Sequence, residues 1–295
     1  MLRIFSVCFC LMISFNSAVL AQISKEFKVE EKEGFDLVHF DFNIYKGIST
    51  LKRKHVDYPI HIHTELDKVN ILPSFYSDIK NEVLSTQLIH RNVESETLGK
   101  SLSYKLFSST DENFDHTWDI GLSSNYLYDL NLYFGVGKAY LDFSYLTISN
   151  CLIKTASADV KVFYTKKKPN PVKMDTLRIT TNMGNIDAES VNFSNAKDMI
   201  FETNYGTLNL SFTEPMAEAC MVQAYVGAGQ VNIVLPNENQ PYKIKINSTA
   251  LCRTHLPSHL KDIGNKTYVS KNYQEKAKNI INLVVDCSVG SVHIK

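Results

Sequence analysis

The stretch Val226-Gly227-Ala228-Gly229-Gln230-Val231-Asn232-Ile233-Val234-Leu235-Pro236 decides the fold: a glycine, then alternating polar and apolar residues, then Leu-Pro. Side chains two apart on a strand share a face, so Val231 and Ile233 point one way and Gln230 and Asn232 the other. The same Gly-x-apolar-x-apolar pattern recurs at Gly137-Lys138-Ala139-Tyr140-Leu141, Gly184-Asn185-Ile186-Asp187-Ala188, Gly206-Thr207-Leu208-Asn209-Leu210 and Gly290-Ser291-Val292-His293-Ile294. Ala158-Asp159-Val160-Lys161-Val162 is a further copy with Ala in first place. Up to Gly229 the copies begin 21 to 26 residues apart, and an insertion near 251–279 displaces the last. Recurrence at a near-constant period marks a repeat architecture.

The third and fifth positions of each copy are expected to face the core. The preceding runs, such as Leu130-Asn131-Leu132-Tyr133 and Leu283-Val284-Val285-Asp286, alternate in the same way. Glycine supplies the positive φ of a tight turn without a Cβ penalty, so each unit reads strand, turn, strand. One unit cannot bury its own apolar face, whereas a stack does so at roughly 25 cal/mol per Å². The expected fold is all-β: a single-stranded-stack β-solenoid of strand-turn-strand repeats over 116–295, with an irregular N-terminal β region over 22–115. An antiparallel sandwich with hairpins of similar length meets the same pattern. Leucine-rich repeats need a ladder position that is absent here.

In the N-terminal region Phe35 to Tyr45 reads as β, as does Tyr58 to Glu65, while Asp78 to Ser103 is largely polar and Ser108 to His116 reads as a solvated loop. Residues 1–21 carry Arg3 ahead of an apolar run, then Val19 and Ala21 before Gln22, the pattern of a cleaved export signal. Ser14, Asn16 and Ser17 interrupt that run, leaving it shorter than the ~20 apolar residues of a spanning helix. No integral membrane span is expected after cleavage. Lys plus Arg and Asp plus Glu both number 31, so no basic field exists to hold a nucleic acid backbone.

Beyond the signal, Cys151, Cys220, Cys252 and Cys287 lie too far apart for paired Cys-x-x-Cys zinc ligation. In an oxidising compartment they allow three disulfide connectivities. Cys252 with Cys287 is preferred because that bond closes the insertion, while Cys151 and Cys220 also read as small buried hydrophobes.

The run from Trp118 to Lys295 resembles the exported adhesin-like and LiaF-like group of bacterial envelope proteins, also called toastrack domains. The residues that carry the resemblance are Leu130 to Asp142 (LNLYFGVGKAYLD), Asn182-Met183-Gly184-Asn185-Ile186 and, most specifically, Val226 to Pro236. Phe42-Asn43-Ile44-Tyr45-Lys46-Gly47-Ile48 resembles a weaker opening copy. The resemblance implies a β-solenoid outside the cytoplasm and no catalytic residues.

His61, His63 and Glu65 share one strand face and are the only metal-ligand candidates read from the sequence, although the amphipathic pattern alone accounts for them. The outward rows are expected to read Lys138, Asp159, Asn185, Thr207, Gln230, Ser291 and Tyr140, Lys161, Asp187, Asn209, Asn232, His293, with an amide ladder between Asn209 and Asn232. Asp159 and Asp187 are their only carboxylates, with Lys161 placed to neutralise either. No nucleophile elbow, phosphate loop or His-Glu-x-x-His helix is present. The expectation is a non-catalytic, extracytoplasmic, adhesin-like binding or scaffold protein without a cofactor. Its partner is read as a protein or glycan of the cell envelope, with self-association through a terminal edge at Ser291 to Lys295. The alternative is a glycan-active enzyme on a solenoid scaffold using Asp159 and Asp187.

Overall fold

The computed structural model describes residues 22–67, 69, 71–91, 116–236 and 239–295. The expected signal at 1–21 and nearly all of the expected loop at 108–116 lie outside them. The described chain is nearly all β, with one short 3-10 turn at Val191–Ser194. Its strands are β1 (Gln22–Lys28), β2 (Leu37–Arg53), β3 (Ile60–Asp67), β4 (Ser74–Lys80), β5 (Val83–His90), β6 (Thr117–Leu122), β7 (Leu127–Asp142) and β8 (Thr147–Phe163). They continue as β9 (Met174–Met183), β10 (Ile186–Ala188), β11 (Ala196–Ser211), β12 (Cys220–Val234), β13 (Tyr242–Ser248), β14 (Cys252–His255), β15 (Lys261–Asp262), β16 (Thr267–Val269) and β17 (Ile281–Ile294).

The long strands pair in parallel, one rung on the next, in the order β2, β7, β8, β9 with β10, β11, β12, β17. Strands β9 and β10 are two arms of one rung, so β8, β9, β11 and β10 close a ring of parallel pairings. Each rung must double back on itself. A straight strand as long as β7 would span about 50 Å, yet Thr147 pairs with Leu127 after only the short connection Phe143 to Leu146. The fold-back lies at the repeat glycine, where the inward set changes from Tyr128, Leu130, Leu132 and Phe134 to Ala139 and Leu141.

Here the structure corrects the strand-turn-strand unit. The repeat glycine sits at a corner inside one continuous strand, and the ladder runs through it without a break: Gly229 pairs with Gly206 on one side and Gly290 on the other. Gly229 has φ +147°. A Cβ placed there would lie 1.8 Å from the Gly206 carbonyl oxygen, so this corner admits no side chain.

The expected core columns are in register. Ser49, Ala139, Val160, Ile186, Leu208, Val231 and Val292 stack along one arm, with Leu51, Leu141, Val162, Ala188, Leu210, Ile233 and Ile294 beside them. On the other arm Phe40, Leu130, Cys151, Leu177, Met199, Val222 and Leu283 form a fully enclosed column, so Cys151 acts there as a small hydrophobe.

The N-terminal portion is more regular than expected. Strand β2 is a full rung, and Gly47 pairs with Gly137 as the opening copy implied. Beyond β2, β5 and β6 supply the two arms of another rung, followed outward by β4 on one arm and by β3 and β1, all antiparallel, on the other. The polar reading of Asp78 onward missed the β4–β5 hairpin, whose turn residues Asn81 and Glu82 both have positive φ (51° and 63°).

The last strand is not an edge. Strand β17 inserts between β12 and the two arms β13 and β14, so Ser291 faces Gln230 on one side and Arg253 on the other. The chain lays down the outer rung first and then returns through β15 and β16, which leaves part of the insertion serving as a rung.

Candidate functional site

The outward rows of the second arm are those read from the sequence. Lys138, Asp159, Asn185, Thr207, Gln230 and Ser291 stand in one row, and Tyr140, Lys161, Asp187, Asn209, Asn232 and His293 in the next. Where the rung of β9 and β10 is interrupted at its corner, the rows form a shallow groove of about 160 Å³ lined by Lys138, Tyr140, Asp159, Lys161, Asn185 and Asp187. Tyr140 is 39% exposed there, so its ring is available to solvent.

Both candidate carboxylates hold neighbouring rungs together. Asp159 Oδ1 accepts the backbone N–H of Asn185 at 2.8 Å, and Asn185 Oδ1 accepts that of Thr207 at 3.1 Å. Asp187 accepts from the Asn209 amide, and Asn232 donates to Asn209 Oδ1 at 2.7 Å, which realises the amide ladder. The row ends with His293 stacked on His255, ring centroids 4.5 Å apart and planes 13° from parallel. Lys161 does not reach the carboxylates of the rows first. Its Nζ lies 2.6 Å from Glu189, and that hydrogen bond raises its pKa.

His61 and His63 lie on β3, but they take separate partners. His61 Nε2 is 2.5 Å from Glu26 Oε1 on β1, and His63 Nε2 is 4.0 Å from Glu65. Among the described residues no group of three or more His, Cys, Asp or Glu is arranged to hold a metal ion. Among the described residues no helix is long and apolar enough to cross a membrane.

Two constellations escaped the sequence reading. On the first arm, His39 places Nδ1 2.9 Å from Asp129 Oδ2 and Nε2 3.5 Å from Asp41 Oδ1. Asn131 and Asn150 donate to the same two carboxylates at 2.7 and 2.9 Å. The hydrogen bond to Asp129 raises the His39 pKa, and the same bond lowers that of Asp129. The second lies at the corner between β5 and β6. There Tyr45 Oη meets His116 Nε2 at 2.8 Å, while buried His90 packs on Tyr45, His116 and Trp118 at centroid distances of 4.9, 5.6 and 5.4 Å. Only the alternation of His39 with Asp41 was visible beforehand; their partners come from other rungs.

No family model and no curated protein matches the chain. Solved structures to which it is similar include one provisionally named a cell adhesion protein from Clostridium sporogenes, at 15% identity and TM-score 0.49, covering 93% of this chain and 99% of that one. Another, provisionally named an adhesin, is from Bacteroides fragilis, at 12% identity and TM-score 0.37 over 93% of this chain and 97% of that one. A third, provisionally named a lipid binding protein, is from Parabacteroides distasonis, at 9% identity and TM-score 0.27 over 92% and 96%.

Proposed function

We propose that this chain is an exported, adhesin-like binding protein of the toastrack type, its rungs wound as a β-solenoid, which contacts an envelope glycan through the groove around Tyr140. The groove carries the reading. It sets one exposed aromatic face among two lysines, two carboxylates and an amide. An aromatic face suits the apolar C–H side of a sugar ring, and the polar groups around it suit hydroxyls. The commitment of Asp159 and Asp187 to bonds between rungs favours binding over hydrolysis, which needs a carboxyl pair free to exchange protons.

Export rests on residues 1–21, and the absence of a basic field argues for a partner other than nucleic acid. A glycan array probed with the purified chain and with Tyr140→Ala tests the binding. Binding to a defined set of glycans, weakened at least about tenfold by the substitution, is the expected result. An empty array, or unchanged binding by the variant, overturns the groove. Recovery of the chain only from the cytosol on cell fractionation overturns export.

A further inference from the structure

The corner shared by the last two rungs brings together two of the four cysteines. Cys287 of β17 belongs to the inward corner column, between Val226 of β12 and Ser248 of β13, and is only 2% exposed. Cys252 opens β14 just past the corner, half-buried and opposite Gly290. The strand register sets the two residues at the same corner of β17, and the Cys252 thiol is near enough to Cys287 to help raise its pKa. Cys151 and Cys220 are held apart, on β8 and β12, with the rungs of β9 and β11 between them.

The segment that Cys252 begins is a rung arm of only four residues, weakly held. Among the described residues strand β14 pairs only with β17, and Arg253, Thr254 and His255 are exposed. A short arm with one ladder neighbour and little buried surface opens easily. Opening it would bare the β17 edge, which offers unpaired backbone groups to other chains.

We propose that Cys252 and Cys287 form a disulfide that clasps the outer rung to β17. The oxidant is a protein or small-molecule disulfide. The Cys252 thiolate attacks one of its sulfurs and releases a thiol. The Cys287 thiolate then attacks the Cys252 sulfur of the mixed disulfide and releases the second thiol. Two cysteines thereby lose two protons and two electrons, and the oxidant becomes two thiols. Burial, with the Cys252 thiol alongside, pushes the Cys287 thiol up to about 12, so the closing attack is slow and quickens as pH rises.

The test treats the full chain with oxidised glutathione, alkylates it under denaturing conditions and maps every cysteine by peptide mass. A Cys252–Cys287 cross-linked peptide is expected, formed faster at pH 9 than at pH 7. It should be absent from Cys252→Ser and retained in Cys151→Ala. Reduction of the cross-linked chain should lower its thermal midpoint by about 5 °C. Free thiols at both positions after oxidation, or a cross-link joining another pair, would overturn the proposal. Formation of the bond is independent of where the chain resides, whereas its persistence rests on export. A chain that cross-links in glutathione but is reduced when taken from its own compartment supports the pairing and counts against export alone.

Discussion

His39 Nδ1 lies 2.9 Å from Asp129 Oδ2, although the two residues stand 90 positions apart in the chain. Rung pairing sets them side by side, His39 of β2 against Asp129 of β7. With Asp41 facing the other ring nitrogen, both nitrogens meet carboxylates, an arrangement that suits the doubly protonated imidazolium. The raised His39 pKa gives stability that is complete below about pH 6.5 and is lost as pH rises through the folded value. The lowered Asp129 pKa gives stability present above about pH 4 and lost as pH falls through its folded value.

His39→Gln should therefore destabilise the fold most at about pH 5 and least at about pH 8, by under about 1 kcal/mol because the pair is partly exposed. Urea unfolding of both chains at the two pH values checks this. An equal difference at both would mean that the ion pair contributes nothing.

His90 has the opposite sign. Burial lowers its pKa, so the folded chain holds it neutral while the unfolded chain takes up a proton below about pH 6.5. Its contribution is present above that pH and lost as pH falls. His90→Gln, which keeps a donor for the Ile71 carbonyl now bonded at 3.0 Å, should reduce the acid sensitivity of the thermal midpoint between about pH 7 and 5. A variant with the same pH slope as the parent would rule His90 out.

The stacked corners give a steeper test. Gly229→Ala should destabilise the chain by more than about 2 kcal/mol, since its Cβ meets a carbonyl of the next rung at a φ that side chains avoid. Gly34→Ala, with nothing within 4 Å of its Cβ, should be affected only by its own φ of +88° and cost about 1 kcal/mol. Guanidinium melts of the two variants should separate clearly.

The amide ladder is smaller in effect. Asn209→Ala removes the bonds to Asp187 and Asn232 and should cost about 1 kcal/mol. Asp187→Asn keeps an acceptor oxygen for Asn209 and should cost less. If the two substitutions are equal in chemical denaturation, the ladder contributes through packing alone.

Much of the second arm is legible in the sequence. Val231, Ile233, Leu208 and Ile186 were readable as core, and Asn209 as the neighbour of Asn232, because alternation and glycine spacing are carried by each short segment alone. The Asn81-Glu82 turn was missed because only the backbone shows its two positive φ values; Glu82 carries no signal for them. The groove residues were named from their rows, but the interrupted rung that makes a groove of them was not visible.

Within the glycine-marked repeats the sequence by itself determined which side chains face inward, which glycine marks the bend and which polar residues of the second arm stand in rows, since a strand's period of two and a glycine's free φ are local properties. Tertiary structure alone decided which rung lies beside which: β17 between β12 and β13, and His39 beside Asp129. Local patterns are alike from rung to rung and so do not name a neighbour. That choice belongs to the whole stack, where closing a loop and filling the space between rungs must succeed together.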